Sequence, residues 1–267
     1  FNICINKKLD FLLFIYYNKF MILNEKFIRL HTGLNVKLVD TCESTFDEIG
    51  KYDAIIAQRQ TKGVGRGDHS FFCPDGGLYV VMRVQGVYVN PHTLTPAVGL
   101  AVHDAIEAIL GVQTKIKWVN DVILYDKKVA GILCKSVRKA EYLVGIGINY
   151  ATDPKELEKA GLGDIAISLQ APASRASAFV TGLLRMIKRA TIATFDSIRY
   201  GNLCINVGRT VEFTHNGLTV RGYAEQIADD GSLIVRIGNA TVAVDAGEVS
   251  IIRNVDGAVI LDDDDRI

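Results

Sequence analysis

The sequence predicts an α+β fold in two parts: a larger unit of interleaved strands and helices up to about residue 202, then a small all-β unit. Between Val36 and Ile198, short apolar runs suited to strands are interspersed with runs at helical spacing. From Asn206 the chain breaks into short strands separated by Asn216-Gly217 and Asp230-Gly231, dipeptides that favour tight hairpins. A length of 267 residues suffices for one large domain, or for a large one and a small one.

Composition narrows the function classes. Apolar residues are 49% and charged residues 22%, ordinary for a globular chain, and the formal net charge is zero, so a bulk electrostatic case for nucleic-acid binding is missing. The five cysteines are scattered without metal-ligand or redox spacing. They read as free thiols in a reducing compartment, and a cytoplasmic location is expected. The histidines form no His-x-x-x-His pattern, and His103, inside a helical run, reads as a helix-surface or packing residue rather than a ligand.

Residues 1–35 read as an N-terminal extension. Its apolar run Phe11 to Tyr17 is too short to span a bilayer, and no small-residue cleavage site follows. Residues 1–20 read as upstream sequence, with the working protein beginning near Met21. Val36 to Val39 reads as a strand. Ser44 and Thr45, each three residues before a carboxylate, open a helix with capping-box character. Helix capping is the plain role of these hydroxyls; facing a ligand is the alternative. Ala54 to Ala57 suits a buried strand. In Gln60-Thr61-Lys62-Gly63-Val64-Gly65-Arg66-Gly67, glycines at alternate positions free the backbone for close approach, and Arg66 can fold over a carboxylate or phosphate. On spacing alone, a solvated loop explains it equally well.

Leu78 to Val84 reads as a strand. Leu94, Val98, Val102, Ile106 and Ile109 mark a core-facing helix. Lys117-Trp118-Val119-Asn120-Asp121 and the returning Val129 to Leu133 read as a hairpin turning at Tyr125-Asp126-Lys127. Such a hairpin can bring Lys117, Asp121 and Lys128 together, two cations and a carboxylate suited to an anionic ligand with a metal. Solvated lysines on an ordinary hairpin are the plain alternative. Glu141 to Asn149 is a strand with Gly145 and Gly147 on one face. Pro154 to Ala160 suggests a short helix, and Phe179 to Ile198 one long amphipathic helix. The small β unit spans 203–255, and 256–267 reads as an acidic tail around Asp262 to Asp265.

Taken together, these stretches resemble the biotin–protein ligases. The motifs that carry the likeness are Gly63-Val64-Gly65-Arg66, Lys117-Trp118-Val119-Asn120-Asp121, Lys128-Val129-Ala130-Gly131-Ile132-Leu133 and Gly145-Ile146-Gly147-Ile148-Asn149, in family order. Gly247-Glu248-Val249-Ser250 looks like the end of the family's barrel. The resemblance implies a mixed-sheet biotin/lipoate ligase-like catalytic domain over 36–202 and an SH3-like β-barrel after it. It implies ATP-dependent activation of biotin to biotinyl-AMP, then transfer to a lysine of a biotin carboxyl carrier protein. By the family's pattern the catalytic set is Arg66, Lys117, Asp121 and Lys128. Ser44, Thr45, Gln60, Gly63, Arg66, Lys128 and Gly131 are expected to bind biotin. Arg66, Lys117, Asn120, Asp121 and Asn149 are expected to bind ATP, with Mg²⁺ on Asp121. A homodimer is left open, and neither specific DNA binding nor membrane association is expected. A lipoate–protein ligase of the same fold, or a non-catalytic biotin- or carrier-binding protein, are the rival readings.

The chain departs from the family at Phe46, where the family usually has asparagine, and at Val64, Gly67, Asp68, His69, Phe71 and Val119. The loop around Arg66 is therefore less basic, and it is expected to hold the adenylate less tightly. Rapid filtration of biotinyl-AMP is the check: quick release fits this expectation, and slow release counts against it.

Overall fold

The computed structural model describes residues 21–67, 69–85, 91–215, 217–245, 247 and 249–252. The expectations for residues 1–20, Asp68, Asn216, Glu248 and the acidic tail lie outside the described residues.

Helix α1 (Glu25–Thr32) is capped at its start by Asn24, whose side chain accepts from the Phe27 N–H, and at its end by Gly33 at φ +70°. Strands β1 (Val36–Cys42) and β2 (Ala54–Gln60) follow, joined through a short helix α2 (Thr45–Glu48). Strand β3 (Leu78–Gln85) leads into the long helix α3 (Pro91–Leu110). Strands β4 (Lys115–Lys117), β5 (Asp121–Leu124), β6 (Lys127–Arg138) and β7 (Glu141–Ile148) come next. The order in the sheet is β1-β2-β3-β7-β6-β5-β4. Only β1 and β2 pair in parallel; all other neighbours are antiparallel, so the sheet is mixed as expected.

Alternation along the strands gives the sheet two faces with different duties. Ile56, Val80, Met82, Val144, Ile146 and Ile148 join Leu94, Val98, Val102 and Ile106 of α3 and Phe179, Leu183 and Ile187 of α5 (Ala176–Ala190) in one core. Ile55, Val81 and Leu143 belong to a second cluster on the opposite side, with Phe46 and Ile49 from around α2. Met21 and Ile28 belong to the main core, so the folded unit begins before Val36.

Two sequence expectations change here. The amphipathic run from Phe179 to Ile198 is not one helix: α5 stops at Ala190, and α6 (Ser197–Leu203) restarts with Asp196 as its cap. The turn between β5 and β6 is tighter than Tyr125-Asp126-Lys127. Leu124 and Lys127 are already a ladder pair, and Tyr125 and Asp126 alone bridge them at φ 49° and 61°, the left-handed pair that a two-residue hairpin loop needs. The short helix α4 (Pro154–Lys159) forms where expected, with Asp153 as its cap.

The C-terminal unit comprises β8 (Thr210–His215), β9 (Leu218–Ile227), β10 (Leu233–Ile237), β11 (Ala240–Val244) and β12 (Val249–Ile251). They form one antiparallel sheet in the order β11-β10-β9-β8-β12. Val211, Phe213, Ala224, Leu233, Val235, Val244 and Val249 are buried together, and Trp118, Val119, Ile116 and Tyr200 join them. The larger unit therefore shares this second core through the Lys117 hairpin.

Because Ile28 is fully buried in the main core, Ile28→Ala is expected to destabilise the whole larger unit by roughly 2–5 kcal/mol. Chemical denaturation checks it; a midpoint equal to wild type would mean α1 is not part of the cooperative unit.

Candidate active site

A cavity of about 240 Å³ opens over the sheet face opposite α3 and α5, at the junction with the C-terminal unit. Its floor is made by the middle of β6 and β7, where Gly131 faces Gly147 and Leu133 faces Gly145 across the ladder. Glycine at these positions gives room to aromatic rings. A Cβ on Gly147 would lie 2.5 Å from Phe71, one on Gly131 2.9 Å from the same ring, and one on Gly145 2.4 Å from Phe46. The backbone access expected over Gly131 is thus taken by Phe71 and by the stem of Lys128.

One end of the cavity is polar and uncharged. Gln60 Oε1 accepts from the Thr45 N–H at 2.6 Å and from Thr45 Oγ1 at 2.8 Å. Gln60 Nε2 donates to Cys73 Sγ at 3.1 Å. Burial pushes the Cys73 thiol up to about 12, so the sulfur stays protonated and is a weak acceptor for that amide. Thr45 and Gln60 therefore present a pre-ordered set of donors and acceptors whose internal bonds a better partner can replace.

The other end is charged. Lys128 Nζ lies 2.7 Å from Asp121 Oδ1, and Asn120 Nδ2 donates to the same oxygen at 3.1 Å. Arg66 Nη1 donates to Asn120 Oδ1 at 3.1 Å and to the Gly247 carbonyl at 3.2 Å. Lys117 also lines the cavity, with no carboxylate within salt-bridge distance among the described residues. Lys128 reaches this face because the β5–β6 ladder shifts register: Val122 pairs with Ala130 but Ile123 with Lys128, leaving Val129 as an extra residue. Such a bulge re-aims the side chain next to it. The backbone of Lys128 is held as well, donating to the Ile165 carbonyl at 2.8 Å and accepting from the Ile167 N–H at 2.9 Å.

Of the residues expected from the sequence, Thr45, Gln60, Arg66, Lys117, Asn120, Asp121, Lys128 and Gly131 line this cavity. Ser44, Gly63 and Asn149 are not among its lining residues. Ser44 is buried as the cap of α2, accepting from the Phe46 N–H at 3.3 Å. Gly63 packs against the Phe71 carbonyl and Cys73 Sγ, where a Cβ would come within 2.4 Å. Asn149 donates instead to the Ile167 carbonyl at 3.2 Å. His103 is buried, with Nδ1 2.8 Å from Thr114 Oγ1, and serves packing as expected. Among the lining residues to which the motif reading gave no role are Phe46, Ser70, Phe71, Val80, Leu133 and the C-terminal trio Gly247, Val249 and Ser250. The sequence signal for the trio was the Gly-Glu-Val-Ser stretch, read only as the end of a barrel.

Trp118 joins the two units. It is buried, its backbone N–H donates to Asn206 Oδ1 at 2.8 Å, and its indole N–H donates to the Gly231 carbonyl at 3.0 Å. Both partners belong to the segment after α6, so the β4–β5 connection, flanked by Lys117 and Asp121, is braced by that segment.

A glycine-floored mixed sheet, a hydrogen-bonding end and a cationic end with one carboxylate define a site for activating an organic acid with a polyphosphate. Comparison with known proteins gives the family. Residues 39–150 match the biotin/lipoate A/B protein ligase family, and residues 207–251 match the biotin protein ligase C-terminal domain. The chain is 31% identical to a biotin–[acetyl-CoA-carboxylase] ligase of Mycobacterium tuberculosis over 74% of this chain and 79% of that one. It is 26% identical to the bifunctional ligase/repressor BirA of Escherichia coli over 82% of this chain and 74% of that one. Its fold is similar to a biotin protein ligase from Aquifex aeolicus solved with biotin and ATP, with a TM-score of 0.70, 24% identity, and coverage of 82% of this chain and 99% of that one. The chain belongs to the biotin/lipoate protein ligase family.

Trp118→Phe keeps an aromatic ring and removes the indole N–H, leaving the Gly231 carbonyl without that donor. A loss of about 1–3 kcal/mol in unfolding free energy is expected. Equal denaturation midpoints for the two proteins would sink this reading of the contact.

Proposed function

We propose that this chain is a biotin–protein ligase that activates biotin with ATP and transfers it to a lysine of a carboxylase's biotin carboxyl carrier protein. The observation that carries this reading is one cavity joining the Thr45–Gln60 pair to Arg66, Lys117 and Lys128 around Asp121. Its support from relatives is the likeness to the mycobacterial ligase along most of both chains.

The chemistry has two steps. A biotin carboxylate oxygen attacks the α-phosphorus of ATP; the bond to the bridging oxygen breaks, and pyrophosphate leaves with that electron pair. The amine of a carrier lysine then attacks the carbonyl of the mixed anhydride; AMP leaves and the amine loses a proton. The first step brings an anion onto a polyanion, a repulsion of roughly 4 kcal/mol per charge pair at ~4 Å and an effective dielectric constant of ~20. Lys128 and Arg66 offset it at the carboxylate–phosphate junction, and Lys117 at the phosphates. The charges of Lys128 and Arg66 are held in place before the ligand arrives, so they stabilise the charge that develops in the transition state with little reorganisation.

At the neutral end, Thr45 and Gln60 take the ureido ring. Burying such a ring without partners costs roughly 1–3 kcal/mol for each unpaired polar group, so this end discriminates as well as binds. Mg²⁺ is commonly held by one or two carboxylates together with substrate phosphates. Asp121 is the one carboxylate lining the cavity among the described residues, with the Asn120 amide beside it, and this donor set fits that mode. Asp121 would hold such an ion, which would supply neutralisation of phosphate charge. The unpaired thiols of Cys42, Cys73, Cys134 and Cys204 support a cytoplasmic location.

The test is transfer of biotin to a purified carrier domain with ATP, with and without Mg²⁺, and with lipoate in parallel. Wild type is expected to transfer biotin only. Lys128→Ala is expected to lose on the order of 100-fold or more in kcat/KM, as removal of a preorganised charge-stabilising group does. Retained activity in that variant would remove Lys128 from the reaction, and transfer of lipoate alone would reassign the substrate.

A further inference from the structure

The neutral end of the cavity is bounded by a ring where the family pattern expects an asparagine. Phe46 follows Thr45 directly, and both residues line the cavity. Its ring is fixed on three sides. Beneath it lies Gly145, where an added Cβ would come 2.4 Å from Phe46 Cζ. Beside it is the apolar cluster of Ile49, Ile55, Val81 and Leu143. Lys135 Nζ stands 4.2 Å from the ring centroid, a cation–π contact that holds the plate from the solvent side. A phenyl ring so held cannot donate or accept a hydrogen bond and cannot retreat toward the sheet without striking β7.

Resting on the biotin-ligase reading, we propose that Phe46 is a specificity-determining residue that sets the depth of the head-group end and excludes acids with enlarged or more polar rings. The Thr45–Gln60 pair selects for hydrogen-bonding capacity but places no limit on size. Phe46 supplies that limit, and its apolar face leaves polar atoms added there without a partner. Gly145 is the counterpart: without a Cβ it makes room for the tip of the ring, Cζ and Cε2, over β7, so that the ring does not stand further into the cavity.

The experiment compares biotin with biotin sulfone, whose ring carries two more oxygens, in carrier biotinylation by the full chain. The readout is the ratio of the two kcat/KM values. In Phe46→Ala the preference for biotin is expected to fall at least about tenfold, the scale at which a pocket wall discriminates by size or an unpaired polar group. Phe46→Leu keeps the core filled and is expected to give a smaller fall in the same direction, which covers misfolding of the alanine variant. Gly145→Ala is expected to raise KM for biotin by pushing the ring into the cavity, and Phe46→Ala in that background is expected to restore it. A ratio within about twofold of wild type in both Phe46 variants makes the ring a packing residue only and overturns the proposal. Failure of wild type to transfer biotin at all would instead overturn the functional reading on which it rests.

Discussion

Strand β7 alternates Val144, Ile146 and Ile148 with Gly145 and Gly147, and most of the molecule depends on that alternation. The branched residues drive into the core with α3 and α5. The glycines face the other way and leave a trough. Phe46 and Phe71 are the side chains that lie in it. A sheet with side chains on both faces would be a sound sandwich layer, but it would have no cavity. Here one face carries the main core, and the other, bare at Gly145 and Gly147 beside the smaller Ile55–Val81–Leu143 cluster, leaves room for the site.

Above that floor the charges are arranged as a chain of contacts rather than as isolated groups. The Gly247 carbonyl, Arg66, Asn120, Asp121 and Lys128 are linked in sequence by hydrogen bonds and an ion pair. Among the described residues, each of these cations except Lys117 therefore has a partner, which keeps the site from carrying several bare charges in a partly buried volume. The chain of contacts also crosses between the two units, because Gly247 belongs to the connection between β11 and β12. Together with Trp118 bonded to Asn206 and Gly231, it makes the small unit part of the site's frame and not an appendage.

Apart from Val119, the departures from the family pattern fall into two groups. At the glycine loop, Val64 is 39% exposed and meets Ser70 in an isolated bridge, so the loop is held by backbone contacts where a more basic sequence would use charge. At the sheet floor, Phe71 and Phe46 are placed by glycines opposite them. The first group underlies the expectation that the adenylate is held less tightly; the second underlies the proposed limit on the shape of the acid.

Much of the architecture was legible in the sequence because it is written in local signals. Period-two runs gave the strands, the spacing from Leu94 to Ile109 gave α3, and Asp230-Gly231 marked a hairpin. The main charged groups of the site were legible as well, since Arg66, Lys117, Asp121 and Lys128 sit in recognisable runs. What local signals could not supply was direction. Whether Asn149 turns toward the cavity or toward Ile167, whether Ser44 caps or binds, and whether Gly63 faces ligand or Cys73 all depend on segments distant in sequence. The break between α5 and α6 was missed because Ile198 continues a helical spacing that the chain itself abandons after Ala190. By itself the sequence determined which residues form strands and helices and which carry charge, because backbone preference and hydrophobic period are properties of neighbours. The tertiary structure alone decided which face each side chain reaches: a single extra residue at Val129, and rings brought from α2 and the glycine loop onto bare strands, follow from packing between segments that the chain order keeps far apart.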